Sequence, residues 1–156
     1  MLSEPSGKHV AGASPISIVI IDDHPTLRRG IAALLSEDER FEVVGAGGSA
    51  ADAVRLARDA EPNIAIMDLS MPGDVYAAIE SITQAGKTKV VVFTAYGDLN
   101  VAMKALDAGA QGYVLKGRPE EDLSTAIEAV LRGELVISEE FSKKLLMGFR
   151  QRARRE

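Results

Sequence analysis

The stretch Asn63-Ile-Ala-Ile-Met-Asp68-Leu-Ser-Met-Pro72 decides how the rest of the chain is read. Its apolar run, Ile64 to Met67, lies between Pro62 and Pro72 and stops abruptly at Asp68. A short, unalternating apolar run between turn residues reads as a strand buried on both faces, as in a parallel sheet covered by helices. Asp68 then stands at the carboxyl edge of the sheet, where open α/β folds gather their ligands. A lone aspartate there is read equally well as the cap of a following turn or helix. The groups that end the other strands decide between the two.

Upstream, Ile16 to Ile21 is a β-branched run ending in Asp22-Asp23, the first strand. His24-Pro25 opens a helix, where proline suits the first turn, and Leu27, Ile31, Leu34 and Leu35 recur along one face. Phe41 to Val44 is a second strand, followed by Gly45-Ala-Gly-Gly-Ser49. Ser49 caps a helix whose apolar face is Ala53, Val54, Leu56 and Ala57. Downstream, Val75 to Ile82 is a helix with Val75, Ala78, Ile79 and Ile82 inward, and Lys89 to Thr94 is the fourth strand. Leu99 to Ala108 is a helix stopped by Gly109, and Gly112 to Leu115 is the fifth strand, ending in Lys116. Pro119 begins a fifth helix, with Glu120, Glu121 and Asp122 complementing its dipole and Leu123, Ile127, Val130 and Leu131 inward. Five strands alternating with five helices predict a parallel sheet with right-handed crossovers.

Composition sets the bounds. The 156 residues, 46% of them hydrophobic, suffice for one domain with a sizeable core. The absence of cysteine excludes disulfides, thiolate zinc sites and thiol nucleophiles, and fits a cytoplasmic protein. Met1 to Pro15 is rich in Ser, Gly, Pro and Ala, lacks the apolar core of a secretory signal, and reads as a disordered tail. No apolar run nears the roughly 18 residues a membrane helix needs, so no membrane partner is expected. The net charge of −5 is uneven: residues 1–142 carry 12 Lys/Arg against 22 Asp/Glu, residues 143–156 carry 6 against 1. So acidic a body argues against nucleic acid binding by the main domain.

In a parallel sheet, Asp22, Asp23, Asp68, Thr94 and Lys116 all fall on one edge and can converge. Three carboxylates together repel, and a divalent cation such as Mg²⁺, which takes carboxylate oxygens and keeps several waters, relieves that repulsion. Lys116 offers a point charge for a phosphoryl oxygen and Thr94 a hydroxyl. A carboxylate can itself be the nucleophile, giving an aspartyl-phosphate. Taken singly, Lys116 reads as a solvated strand-end charge and Thr94 as an ordinary β-former. Their joint placement at strand ends favours the functional reading.

Ile-Asp22-Asp23-His-Pro, Met-Asp68-Leu-Ser-Met-Pro, Phe-Thr94-Ala and Tyr113-Val-Leu-Lys116 together resemble a response-regulator receiver domain, closest to the NarL/FixJ subfamily. The resemblance spans about residues 16–137. It implies a flavodoxin-like (βα)5 three-layer sandwich with sheet order 2-1-3-4-5, and phosphoryl transfer from a sensor histidine kinase to Asp68. It further implies Mg²⁺ held by Asp23, Asp68 and the Ser70 carbonyl, with Asp22 acting through water. Lys116 and Thr94 would contact the phosphoryl group, and Tyr113 would turn inward on activation. Homodimers would form through the first and fifth helices, or through the fourth helix, fifth strand and fifth helix. Such a protein is a phosphoacceptor switch rather than an enzyme with a separate substrate.

The chain departs from that pattern in two places. Met71-Pro-Gly-Asp-Val-Tyr76 is one residue short of the usual loop and lacks its second glycine, and Gly117 replaces the proline that often follows the lysine. The shortened loop motivates an alternative, a degenerate receiver that binds partners without being phosphorylated. Gly45-Ala-Gly47-Gly-Ser-Ala50 also fits the dinucleotide pattern G-x-G-x-x-G/A, with Asp68 placed to hold a ribose. That reading leaves Asp22, Asp23, Thr94 and Lys116 unused, and a tight strand-to-helix turn explains the glycines equally well. An aspartate-nucleophile phosphatase would need an acid or base where Ser70 stands. His24 reads as a surface residue at a helix start rather than a metal ligand, since the oxygen set suits Mg²⁺.

Ser138 to Glu156 reads as a helix capped by Ser138, with Phe141, Leu145, Leu146 and Phe149 apolar and arginines crowding its end. It is read as a linker helix towards a DNA-binding output domain absent from this chain, with cations favoured at a helix C-terminus. The resemblance implies that Ser70 and Tyr96, two residues beyond Asp68 and Thr94, border the path of an attacking water. Neither orients water well, which predicts a long-lived phosphoryl group.

Overall fold

The computed structural model describes residues 14–95, 98–117, 120–137 and 139–155. The expected tail (apart from Ser14 and Pro15), Tyr96, the helix start at Pro119 and the Ser138 cap lie outside the described residues. The elements in chain order are β1 (Ile16–Ile21), α1 (Pro25–Ser36), β2 (Phe41–Gly47), α2 (Ala50–Ala60), β3 (Ile64–Met67) and α3 (Val75–Ala85). They continue with β4 (Lys89–Thr94), α4 (Leu99–Ala108), β5 (Gly112–Leu115), α5 (Glu120–Leu131), β6 (Val136–Ile137) and α6 (Glu139–Arg155).

The strands pair in parallel in the order β2-β1-β3-β4-β5-β6. β3 is central and buried along its whole length, as its unbroken apolar run requires. Each face of the sheet has its own core. Val19, Ile21, Ala65, Met67, Val90, Val92 and Tyr113 pack towards α2, α3 and α4 through Ala53, Ile79 and Ala102. Ile18, Ile20, Ile64, Ile66, Val91 and Val114 pack towards α1 and α5 through Ile31, Leu35, Ile127 and Val130. Successive strand residues alternate between the two, as the period-2 pleat dictates.

Three details differ from the sequence reading. β6 is an added two-residue strand: Val136 N–H donates to Gln111 C=O at 2.9 Å, continuing the sheet past β5. The chain reaches it through a turn at Gly133, whose φ of +92° suits glycine. On α1 only Ile31 and Leu35 are buried, while Leu27 and Leu34 are each 36% exposed. All four share one stripe, but the sheet meets the Ile31–Leu35 edge of it. Leu27 and Leu34 instead border a groove of about 310 Å³ shared with Phe93, Gly117 and Leu123. β2 runs on through Gly47, with a register shift opposite Ile18 and Val19, so Gly45 and Gly47 lie in a strand and not in a turn.

Candidate functional site

Three backbone hydrogen bonds carry the sheet ladder one residue past the strand ends and so fix the site. Asp22 N–H donates to Gly47 C=O at 2.9 Å, Asp68 N–H to Ile21 C=O at 2.9 Å, and Lys116 N–H to Thr94 C=O at 2.7 Å. Their side chains meet above the sheet edge: Lys116 Nζ lies 2.8 Å from Asp22 Oδ2 and 3.4 Å from Asp68 Oδ2. Asp68 Oδ1 accepts the Leu69 N–H at 2.9 Å, and Asp22 Oδ1 accepts the His24 N–H at 2.9 Å. Asp22 and Asp68 are buried, as is Thr94 at the end of β4. Asp23 and Ser70 are exposed, Ser70 in the loop between β3 and α3.

Burial pushes the Asp22 carboxyl up. Hydrogen bonds from Lys116, from the His24 backbone and from the His24 ring, with the lysine's charge, outweigh that and hold it below the usual carboxylate range. Asp22 is therefore ionised and braced. Tyr113 is fully buried on β5, so its ring is already inward in this structure. Burial first, then the charges of Tyr76, Asp98 and Asp68, push its phenol well above the usual value and keep it neutral.

Among the described residues, the carboxylates of Asp22, Asp23 and Asp68 gather beside the one ammonium group of Lys116, an imbalance that a cation would relieve. One ligand atom each from Asp22, Asp23, His24 and Asp68 fall within 4.8 Å of one another. The carboxylate oxygens suit a hard divalent ion, so the donor set fits Mg²⁺.

Two residues contribute in ways the sequence did not signal. Arg28 donates from Nη1 to the Asp22 carbonyl at 2.8 Å, tying α1 to the end of β1. His24 stands at the start of α1, 63% exposed as expected, yet its Nδ1 lies 3.0 Å from Asp22 Oδ1 and 3.1 Å from Asp23 Oδ1. The sequence placed it beside the acid pair but carried no information on which way the ring turns.

The glycine-rich stretch serves packing. A Cβ on Gly47 would lie 2.6 Å from Asp52 Cβ, and one on Gly45 2.9 Å from Leu56 Cδ2, so both let α2 close onto β2. At the α2 N-terminus Ser49 Oγ accepts the Asp52 N–H at 3.1 Å, and Asp52 Oδ2 accepts the Gly48 N–H at 2.9 Å. A pyrophosphate would have to displace that carboxylate, so the geometry opposes the dinucleotide reading.

The parallel sheet thus brings a buried aspartate, an acid pair and a lysine together at its carboxyl edge, a set suited to a cation and an anionic group. Residues 18–128 match the Response regulator receiver domain family, and the chain belongs to it. It is 35% identical over 143 residues to the response regulator protein VraR of Staphylococcus saprophyticus, covering 89% of this chain and 68% of the relative. Over 129 residues it is 31% identical to the transcriptional regulatory protein YdfI of Bacillus subtilis, covering 82% of this chain and 61% of the relative. The chain thus spans about two-thirds of the length of such relatives. Among solved structures, a LuxR-family two-component response regulator from Aurantimonas superposes with a TM-score of 0.81 at 34% identity, covering 86% of this chain and 98% of that one. The receiver domain of NarL from Mycobacterium tuberculosis gives 0.74 at 27% identity, covering 78% and 100%. The flavodoxin-like fold and the NarL/LuxR kinship expected from the motifs are both borne out.

Proposed function

We propose that Asp68 accepts a phosphoryl group from the phosphohistidine of a sensor histidine kinase, and that this chain relays the event to a transcriptional output domain. The observation that carries the reading is the buried Asp68 carboxylate, 3.4 Å from Lys116 Nζ and beside Asp22. A carboxylate oxygen of Asp68 attacks phosphorus as the phosphohistidine N–P bond breaks, and the electron pair leaves with the imidazole. Lys116 holds a phosphoryl oxygen by charge, Thr94 offers a hydroxyl at the adjacent strand end, and inward Tyr113 lets β4 follow the phosphoryl group. Asp23, Asp68 and the Ser70 carbonyl would hold Mg²⁺, with Asp22 acting through water; bound there, the ion offsets negative charge on the transferred group.

Residues 16–137 form the receiver in this reading. Residues 138–156 are the linker helix to a DNA-binding domain that supplies all contact with DNA. The protein works in the cytoplasm as a switch and not as an enzyme with a separate substrate. Of the two dimer surfaces, α1–α5 is favoured by the exposed Leu27 and Leu34. The α4 face already carries α6, where a Cβ on Gly148 would lie 3.0 Å from Leu99 Cδ2.

Intact-mass analysis with acetyl phosphate and Mg²⁺ tests the assignment. One added phosphate is expected, lost in Asp68→Asn, and Mg²⁺ affinity should fall sharply in Asp23→Ala. Undiminished labelling of Asp68→Asn would move the acceptor elsewhere. A wild-type chain that never gains phosphate would favour the degenerate receiver that the shortened loop after Asp68 raises.

A further inference from the structure

We propose that His24 is itself a ligand of the cation site, and that its nitrogen lets this site take imidazole-preferring ions such as Zn²⁺, Co²⁺ and Ni²⁺ as well as Mg²⁺. The inference rests on the reading that Asp23 and Asp68 hold a cation and adds a nitrogen donor to it. His24 occupies the N-cap position of α1, yet its side chain makes no capping bond to the helix. Its backbone is held from both sides, the N–H on Asp22 Oδ1 at 2.9 Å and the carbonyl accepting the Arg28 N–H at 2.9 Å. Pro25 follows at the first helical position and fixes the direction of the chain. With the backbone pinned and the cap unused, the ring turns to the acids. Nδ1 points between Asp22 Oδ1 and Asp23 Oδ1, at 3.0 and 3.1 Å, and is one of four donors gathered within 4.8 Å.

Nδ1 lies close enough to both oxygens that a cation bound by them would fall within its reach. As a ligand, Nδ1 would offer its lone pair to the ion while the ring hydrogen is carried on Nε2. The side chain is 63% exposed, which leaves Nε2 open to water as a partner. Mg²⁺ gains little from such a nitrogen because it prefers oxygen. Zinc and the later first-row ions favour imidazole, so a mixed set of carboxylates and one imidazole discriminates towards them.

The full chain labelled with ¹⁵N-histidine tests this, with His9→Gln removing the only other histidine. Titration with Zn²⁺ should shift Nδ1 of His24 at one equivalent while Nε2 keeps its hydrogen. In His24→Ala, Zn²⁺ and Ni²⁺ affinity measured by calorimetry should fall about tenfold or more, with Mg²⁺ affinity unchanged within about twofold. An unmoved Nδ1, or equal Zn²⁺ affinity in wild type and His24→Ala, overturns the proposal even if Mg²⁺ binds as expected. Failure of Mg²⁺ to bind, with the Nδ1 shift retained, defeats the magnesium reading alone and leaves the His24 site standing.

Discussion

Replacing Lys116 by methionine should destabilise the protein by an amount that depends on pH in a specific way. Lys116 Nζ sits 2.8 Å from Asp22 and 3.4 Å from Asp68, and both carboxylates are at most 3% exposed. At an effective dielectric of about 20 those distances correspond to about 6 and 5 kcal/mol of Coulomb attraction, most of it offset by desolvating the three groups. Methionine fills similar volume but leaves two buried carboxylates without their cation. The expected loss at neutral pH is about 3–5 kcal/mol, the usual result of orphaning a buried charge.

Asp22 sets the pH dependence. In the wild type its carboxyl is held below the unfolded value, so its stabilisation is complete above about pH 4 and is lost as pH falls through the lower folded value. In Lys116→Met the burial that raises it and the His24 hydrogen bonds that lower it remain, while the lysine hydrogen bond and charge are gone. Ionised Asp22 is then less well stabilised than in the wild type, so the gap between the two proteins should widen as pH rises through the carboxylate range. Urea titrations with EDTA, at several pH values, read this directly. With a slope near 2 kcal/mol per M the midpoint should drop by about 1.5–2.5 M at pH 7. A drop under about 0.5 M, or a gap independent of pH, would refute the account of the lysine as the clamp on two buried acids.

Gly109 ends α4 with φ +117°, and a Cβ there would run into Thr83 on α3. Gly109→Ala should cost about 2–4 kcal/mol in urea or thermal unfolding. Gly86→Ala, at φ +80° with nothing within 4 Å, should cost only the backbone strain of about 1 kcal/mol, and equal losses would void the steric argument. With Asp68 as the acceptor, the phosphoryl group should be long-lived, since neither residue type two beyond Asp68 and Thr94, a serine and a tyrosine, carries an acid or amide to orient an in-line water. Phosphate loss after donor removal should quicken in Tyr96→Ala, and identical rates would show that the tyrosine does not shield the site.

The alternation of β-branched runs with helical stripes determined the doubly wound sheet from sequence alone, because burial on two faces leaves an unbroken apolar run such as Ile64–Met67 few other uses. The strand ends likewise named Asp22, Asp23, Asp68, Thr94 and Lys116, since a parallel sheet puts every such end on one edge. Gly109 and Ser49 declared their caps through local chemistry. What the chain could not declare were contacts between segments distant in sequence or orientations with no periodic signal. β6 forms because the Gly133 turn delivers two residues to the free edge of β5. Leu27 and Leu34 stay exposed because the sheet meets only one edge of the α1 stripe. Gly47 is needed by the approach of Asp52 on α2, which no local motif reveals. The turn of the His24 ring onto Asp22 and Asp23 follows from a backbone pinned by Asp22 and Arg28, a constraint that exists only once β1 and α1 have folded together.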